Sequence, residues 1–350
     1  MMTPTRPSPV RALCLASGLV LSVLALSVRA DDHSAHQQHG DAHAMSAEDL
    51  ATLRSKVPLY RTFTDQQINE SMGRMRDVED YLSPPGLRGE VGVLALGHGY
   101  GDQGDAQFEA GFADVAKTMP TAAALGMAMM GSVHMQRAVD ALEAAGAKTI
   151  VVVPTEIGQR TDLTRQWLYI LGLEEHSAYL DVPRLKTKAR LVMAAGPTAS
   201  SVVSDILAAN LRTISRDPAH EVAVIIAHGP ADEQENAAEL ADLEQHAATV
   251  RKALGLAGAW AATLQDDAPA AMREANVKRV RDHIAAETAA GRRVLVTPLL
   301  ITGRGYVSKK IHKDLEGLKI EMVDVGLTES PLFAKWVATT VEAALAGKGN

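Results

Sequence analysis

The sequence predicts an α/β fold built as two duplicated lobes, each a parallel sheet with helices on both faces, the two facing a central cleft. Three observations carry this expectation. Short apolar runs alternate with long amphipathic ones from about residue 90 onward, the same order of runs occurs twice, and the first strand of each copy ends in His-Gly. Ahead of the lobes stand an apolar leader (1–30), a histidine-rich stretch expected to be disordered (31–45) and a helical lead-in (46–89). The lobes themselves are expected at 90–216 and 217–350.

Residues 1–30 read as a secretory signal peptide, with a basic start at Arg6 and Arg11, an apolar run from Ala12 to Val28 and small residues around a cleavage point expected after Ala30. At about 17 residues the run is short for a membrane span, and the polar Asp31-Asp32-His33 follows it. The mature chain is therefore expected in the periplasm or secreted, with no stable membrane insertion. The only cysteine, Cys14, lies in the leader, so the mature chain offers no disulfide and no thiolate metal ligand. The leader removes Arg6, Arg11 and Arg29 and no acids, so the formal charge of −7 becomes −10, with 32 basic against 42 acidic residues. Such a surface argues against nucleic acid as a partner.

Between Asp31 and Met45, His33, His36, His39 and His43 recur every three or four residues among acids and almost nothing apolar. Neutral imidazoles at that spacing suit cobalt, nickel, copper or zinc as an accessory site, while the plain reading is a flexible mature N-terminus. Ser46 with Glu48 marks a helix start, and a second amphipathic stretch from Asp65 to Leu82 continues the helical lead-in until the Ser83-Pro84-Pro85-Gly86 break separates it from the body.

The first lobe opens with the strand Val91–Leu96. A helix from about Gln103 to Lys117, an apolar segment Thr121–Met130, a helix Ser132–Ala145 and the strand Thr149–Val153 before Pro154 follow. The second repeats this as Val222–Ala227, a helix Gln234–Leu254, an apolar segment Ala257–Leu264, a helix Ala270–Ala290 and the strand Arg293–Thr297 before Pro298. Each copy closes with one more strand and helix, Ala189–Ala194 with Ala199–Ser215 and Lys319–Asp324 with Ser330–Leu345, giving about four strands per lobe.

In an open parallel sheet ligands bind beyond the carboxyl ends of the strands, where the strand order reverses. His98, between Gly97 and Gly99, and His228, before Gly229, stand at that position, each with an acid four residues on, Asp102 and Asp232. Such an imidazole can ligate a metal, take a proton or cap the turn. Met127, Met129, Met130, His134 and Met135 form a further cluster after the second strand. Thioether and imidazole there suit Cu(I) or the face of a large ring, and core packing is the plain alternative.

His-Gly-x-x-Asp on a first strand, a third strand ending Val-Val-Val-Pro and a duplicated lobe resemble the class II chelatases, nearest to the two-lobed sirohydrochlorin cobaltochelatase and ferrochelatase group, over residues from about Glu90 to the C-terminus. The resemblance implies a lyase that inserts Co²⁺ or Fe²⁺, with Ni²⁺ as a further candidate, into a sirohydrochlorin-type tetrapyrrole bound between the lobes. It implies no cofactor beyond the metal that is its substrate. His98 would hold the ion or take pyrrole protons, and His228 and His134 are further metal candidates. Chelatases of this type carry a second histidine in the loop after the third strand, where this chain reads Pro154-Thr155-Glu156-Ile157-Gly158-Gln159-Arg160. Glu156 is the candidate substitute as ligand or base. In the other lobe the corresponding loop places Tyr306 after Arg304, and Asp102, Arg160, Arg304 and Tyr306 are candidates for holding the macrocycle and its carboxylates. The alternative to an enzyme is an exported, non-catalytic carrier of metal or tetrapyrrole. Paired lobes within one chain point to a monomer.

Overall fold

Alternation of side chains along the strands sorts the molecule into layers. In the strand β2 (Val91–Gly97), Val93 and Ala95 point to one face and Leu94 and Leu96 to the other, all fully buried. In β6 (Glu221–Ala227), Ala223, Ile225 and Ala227 oppose Val224 and Ile226 in the same way. A strand buried on both faces reads as a continuous apolar run, which is why both were legible. This computed structural model describes residues 45–74, 76–158 and 161–348. The expected signal peptide, His33, His36, His39 and His43, and Arg160 lie outside the described residues.

The first sheet has the order β1-β3-β2-β4-β5, with β1 Val78–Tyr81, β3 Thr121–Leu125, β4 Thr149–Pro154 and β5 Arg190–Met193. The second has β7-β6-β8-β9, with β7 Gly258–Thr263, β8 Arg293–Pro298 and β9 Ile320–Met322. Without β1 the two orders are the same, every pairing in them is parallel, and the duplication is visible as topology. Helices α3 (Asp102–Ala116), α6 (Ser201–Arg212), α7 (Glu233–Leu254) and α10 (Phe333–Ala343) fill the space between the sheets and share one core with the inner faces of both. The outer face of the first sheet is covered by α1 (Ala47–Lys56), α2 (Asp65–Arg74), α4 (Val133–Ala144) and α5 (Asp162–Ile170). That of the second is covered by α8 (Ala270–Ala289) and α9 (Tyr306–Asp314).

The lead-in departs from expectation. The helix ends at Arg74, and Val78–Tyr81, expected as its continuation, is the strand β1, paired antiparallel with β3 from Val78↔Leu125 to Tyr81↔Ala122. An otherwise unpaired edge of β3 supplies backbone partners that local helical spacing cannot outbid. Nor does the Ser83–Gly86 turn separate this segment from the body. Leu53, Tyr60, Ile68 and Met72 are buried in one cluster with Leu94, Leu96 and Trp167, and Lys56 Nζ donates to Ser177 O and Tyr179 O. The apolar segment after α3 is a strand only as far as Leu125. The helices α5 and α9, which follow β4 and β8, are additions to the sequence reading.

Between the sheets, a file of rings joins the halves: Phe108 to Phe112 with centroids 5.0 Å apart, Phe112 edge-on to Phe333 at 5.2 Å, and Phe333 to Trp336 at 5.1 Å. Phe112→Ala empties the centre of that file and is expected to destabilise the protein by about 3–5 kcal/mol. Because the core is common to both sheets, calorimetry should record one unfolding transition moved to lower temperature. Two transitions, only one of them moved, would contradict a shared core.

Candidate functional site

Two histidines from different lobes converge at the carboxyl ends of the sheets. His98 follows β2 and His228 follows β6, and the chain turns away after each at a glycine in the left-handed region, Gly99 with φ 86° and Gly229 with φ 76°. At Gly229 a side chain would also collide with Thr263 and Asn236. In the first sheet the order reverses between β2 and β4, so His98 and Glu156, just beyond the ends of those two strands, flank the crevice that this topology opens.

Electrostatics show how near these groups are. Burial pushes the His98 imidazole down to about 4, and the positive charge of His228 adds to the depression. Burial pushes Glu156 up to about 7; His228 opposes that shift and Asp267 adds to it. For His228 burial acts downward, but Asp267, Asp266 and Glu156 together outweigh it and hold the imidazole above its ordinary value. Asp267 Oδ2 lies 3.6 Å from His228 Nε2. At neutral pH the first lobe thus presents a free-base imidazole and a carboxyl poised to exchange a proton, while in the second the surrounding acids favour the protonated form of His228. Asp267 was missed in the sequence, where nothing distinguishes it from other acids in a loop. Its position after β7, beside β6 and His228, is the signal.

Tyr100 is a second omission. Its ring lies 4.3 Å from that of His98, tilted by 57°, and stacks on Phe108 at 5.6 Å, joining His98 to the aromatic file between the sheets. Its hydroxyl meets Thr155 Oγ1 at 3.0 Å, and Thr155 in turn donates to Leu96 O. Burial drives the phenol far above its usual range, so it stays protonated. At Gly104 a Cβ would collide with Tyr100 Cβ, so glycine lets Tyr100 lie against the first turn of α3, and that turn also approaches the other lobe, with Arg304 O 3.2 Å and Thr302 Oγ1 3.3 Å from the same point. On the other side Arg165 of α5 pairs with Glu235 of α7 at 2.5 Å.

The remaining candidates are dispersed. Asp102 begins α3, is 85 % exposed at its side chain and pairs with Arg76 at 2.5 Å. Its counterpart Asp232 caps α7 by accepting the N–H groups of Gln234 and Glu235. Arg304 and Tyr306 stand exposed at the rim of the second lobe, Tyr306 at 76 %, with Lys310 Nζ 5.6 Å from its ring centre. Lys310 and Arg273 are committed to the buried Asp266. His134 is buried on α4, apart from the cleft pair, and faces Asp77. A cavity of about 430 Å³ opens beside Glu156, lined also by Thr164, Leu168, Leu173, Glu174 and Met193. Among the described residues, no group of three or more His, Cys, Asp or Glu side chains stands close enough together to hold a metal ion.

No protein-family model matches the chain, and no curated protein matches its sequence. Solved structures do. SirB from Bacillus subtilis with Fe³⁺ aligns with 74 % of this chain and 97 % of its own length at a TM-score of 0.54 and 14 % identity. CbiX, the terminal enzyme for biosynthesis of siroheme in denitrifying bacteria, aligns over 72 % and 99 % at a TM-score of 0.46 and 18 % identity. DR2241 from Deinococcus radiodurans, a multi-domain protein with structural similarity to chelatases, aligns over 72 % of this chain and 54 % of its own at a TM-score of 0.45 and 18 % identity. At 14 % identity the likeness to SirB is one of fold alone, the two-lobed arrangement of parallel sheets described above.

Proposed function

We propose that the protein is an exported chelatase that inserts a divalent metal, Co²⁺ or Fe²⁺, into a sirohydrochlorin-type tetrapyrrole. The observation that carries this reading is the asymmetric pair of imidazoles across the cleft, with Glu156 and Asp267 beside them. Metallation binds a divalent ion to the four ring nitrogens and releases the two protons carried by the N–H groups among them. It needs a ligand that holds the ion lightly and a base that titrates near neutrality. The free-base His98 supplies a lone pair for the ion. The Glu156 carboxylate accepts one pyrrole proton, and the other leaves to water through the cleft. His228, whose protonated form Asp267, Asp266 and Glu156 favour, draws in the carboxylates of the substrate when protonated and becomes a metal ligand once it has given up its proton. Arg304 and Tyr306 at the rim are assigned to the ring periphery, with Arg160 as a further contact, while Asp102, turned outward to Arg76, is left out.

The second reading, a carrier that binds metal or tetrapyrrole without turning it over, is favoured by the loop after β4. It carries Glu156 where chelatases of this type carry a histidine. The expected leader, which would place the protein in the periplasm or outside the cell, also favours the carrier, because sirohydrochlorin chemistry ordinarily belongs in the cytoplasm.

Mixed with sirohydrochlorin and limiting Co²⁺, the protein should metallate many equivalents of the ring, followed by its visible spectrum. His98→Ala should lower the rate by about 10²-fold or more. Binding of both ligands with no more than one turnover would leave the carrier. The base works only when ionised, so the rate should climb as pH rises through about 7, the Glu156 value, and Glu156→Gln should flatten that climb. A wild-type rate that falls over the same interval would remove Glu156 from the role of base.

A further inference from the structure

Outside the cleft pair, one buried side-chain nitrogen stands opposite a carboxylate at a separation that neither a hydrogen bond nor an ion pair explains. His134, the second residue of α4, is 3 % exposed, and among the described residues its Nδ1 has no hydrogen-bond partner. Asp77 Oδ2 lies 3.5 Å from it, beyond the 2.7–3.2 Å of an N–H···O bond. Burial keeps the imidazole neutral at physiological pH, so Coulomb attraction between full charges does not hold the pair either. A buried ring nitrogen left unpaired is destabilising, and a third body between the two atoms would offset that cost.

The surroundings fix the pair in place. Asp77 also accepts the backbone N–H of Ala128, and its carboxylate lies so close over Gly126 that no side chain fits there. Ala128 is held at φ 49°, a conformation that alanine rarely adopts, and its carbonyl accepts from Gln166 Nε2 at 3.1 Å. The loop after β3 is therefore pinned from two sides around the His134–Asp77 gap. Gly126 N–H donates to Gly97 O at 2.9 Å, so the gap lies one strand away from the residue that precedes His98. Asp77 is 38 % exposed at its side chain, which leaves water and ions a way in.

We propose that Asp77 and His134 form the protein half of a second site for a divalent transition metal, separate from the His98 and His228 cleft. Two ligand atoms at about 2.0–2.1 Å from a tetrahedral ion stand about 3.4 Å apart, which matches the separation here within a few tenths of an ångström. Imidazole and carboxylate together select borderline ions such as Zn²⁺, Co²⁺ or Ni²⁺ over Ca²⁺ and Mg²⁺. With only two protein donors the remaining positions belong to water, so the site exchanges its ion readily and is suited to holding metal beside the cleft rather than locking it into the fold.

The test uses the whole chain with His33, His36, His39, His43, His98 and His228 all replaced by alanine, and Co²⁺ as the probe without any tetrapyrrole. This background should still take up one Co²⁺ per chain, read by equilibrium dialysis and by the visible bands of tetrahedral Co²⁺. Asp77→Asn, which keeps the shape of the side chain, should weaken that uptake by at least about tenfold. His134→Gln should do the same, and if it does not fold, Asp77→Asn decides alone. No Co²⁺ in the background protein, or equal uptake and spectrum with and without Asp77→Asn, would overturn the proposal. Neither result bears on turnover at His98, which is measured separately.

Discussion

Neither sheet covers its own inner face. Both rely on a single layer of helices, α3 and α6 from the first half and α7 and α10 from the second, and the apolar area removed from water belongs to the pair rather than to either lobe. Phe108, Phe112 and Phe333 are three of only four phenylalanines in the chain, and all three lie in the one file that crosses this layer. The file continues outward through Tyr100 to the ring of His98. A side chain facing the cleft is thereby packed against the buried core shared by both sheets, as a preorganised site requires.

Duplication supplied two equivalent histidines, and their surroundings have made them unlike. His98 is pushed down chiefly by burial, with His228 adding to the shift, while Asp267, Asp266 and Glu156 act upward on His228. One fold position therefore yields one imidazole pushed below its ordinary value and one held above it, and the difference arises from residues on neighbouring strand ends rather than from the histidines themselves.

Much of this was legible in the sequence because a doubly buried parallel strand has an unmistakable pattern. Val91–Gly97, Thr149–Pro154, Glu221–Ala227 and Arg293–Pro298 fall where their apolar runs place them, and with them His98, Glu156 and His228. What escaped depends on contacts distant in sequence. Val78–Tyr81 is a strand only because β3 lies beside it. Asp267 matters because β7 pairs with β6, and Asp77 because the chain ahead of β1 runs over Gly126. Asp102 was prominent by spacing, yet its side chain turns outward to Arg76, since a residue at the start of a helix is aimed by the turn before it and not by its distance from the histidine.

The two sheets differ at one edge. In the first, β1 closes the open side of β3; in the second, the matching side of β7 has no strand beside it among the described residues, and the Glu244 carboxylate accepts the Ala261 N–H instead. A charged side chain is a lighter guard against intermolecular strand pairing than a covalently attached strand. The short segment before Val91 is thus a solubility device for the first half of the molecule. A chain begun after Gly86 would expose β3 as a sticky edge, and its fate would be self-association rather than a smaller soluble protein.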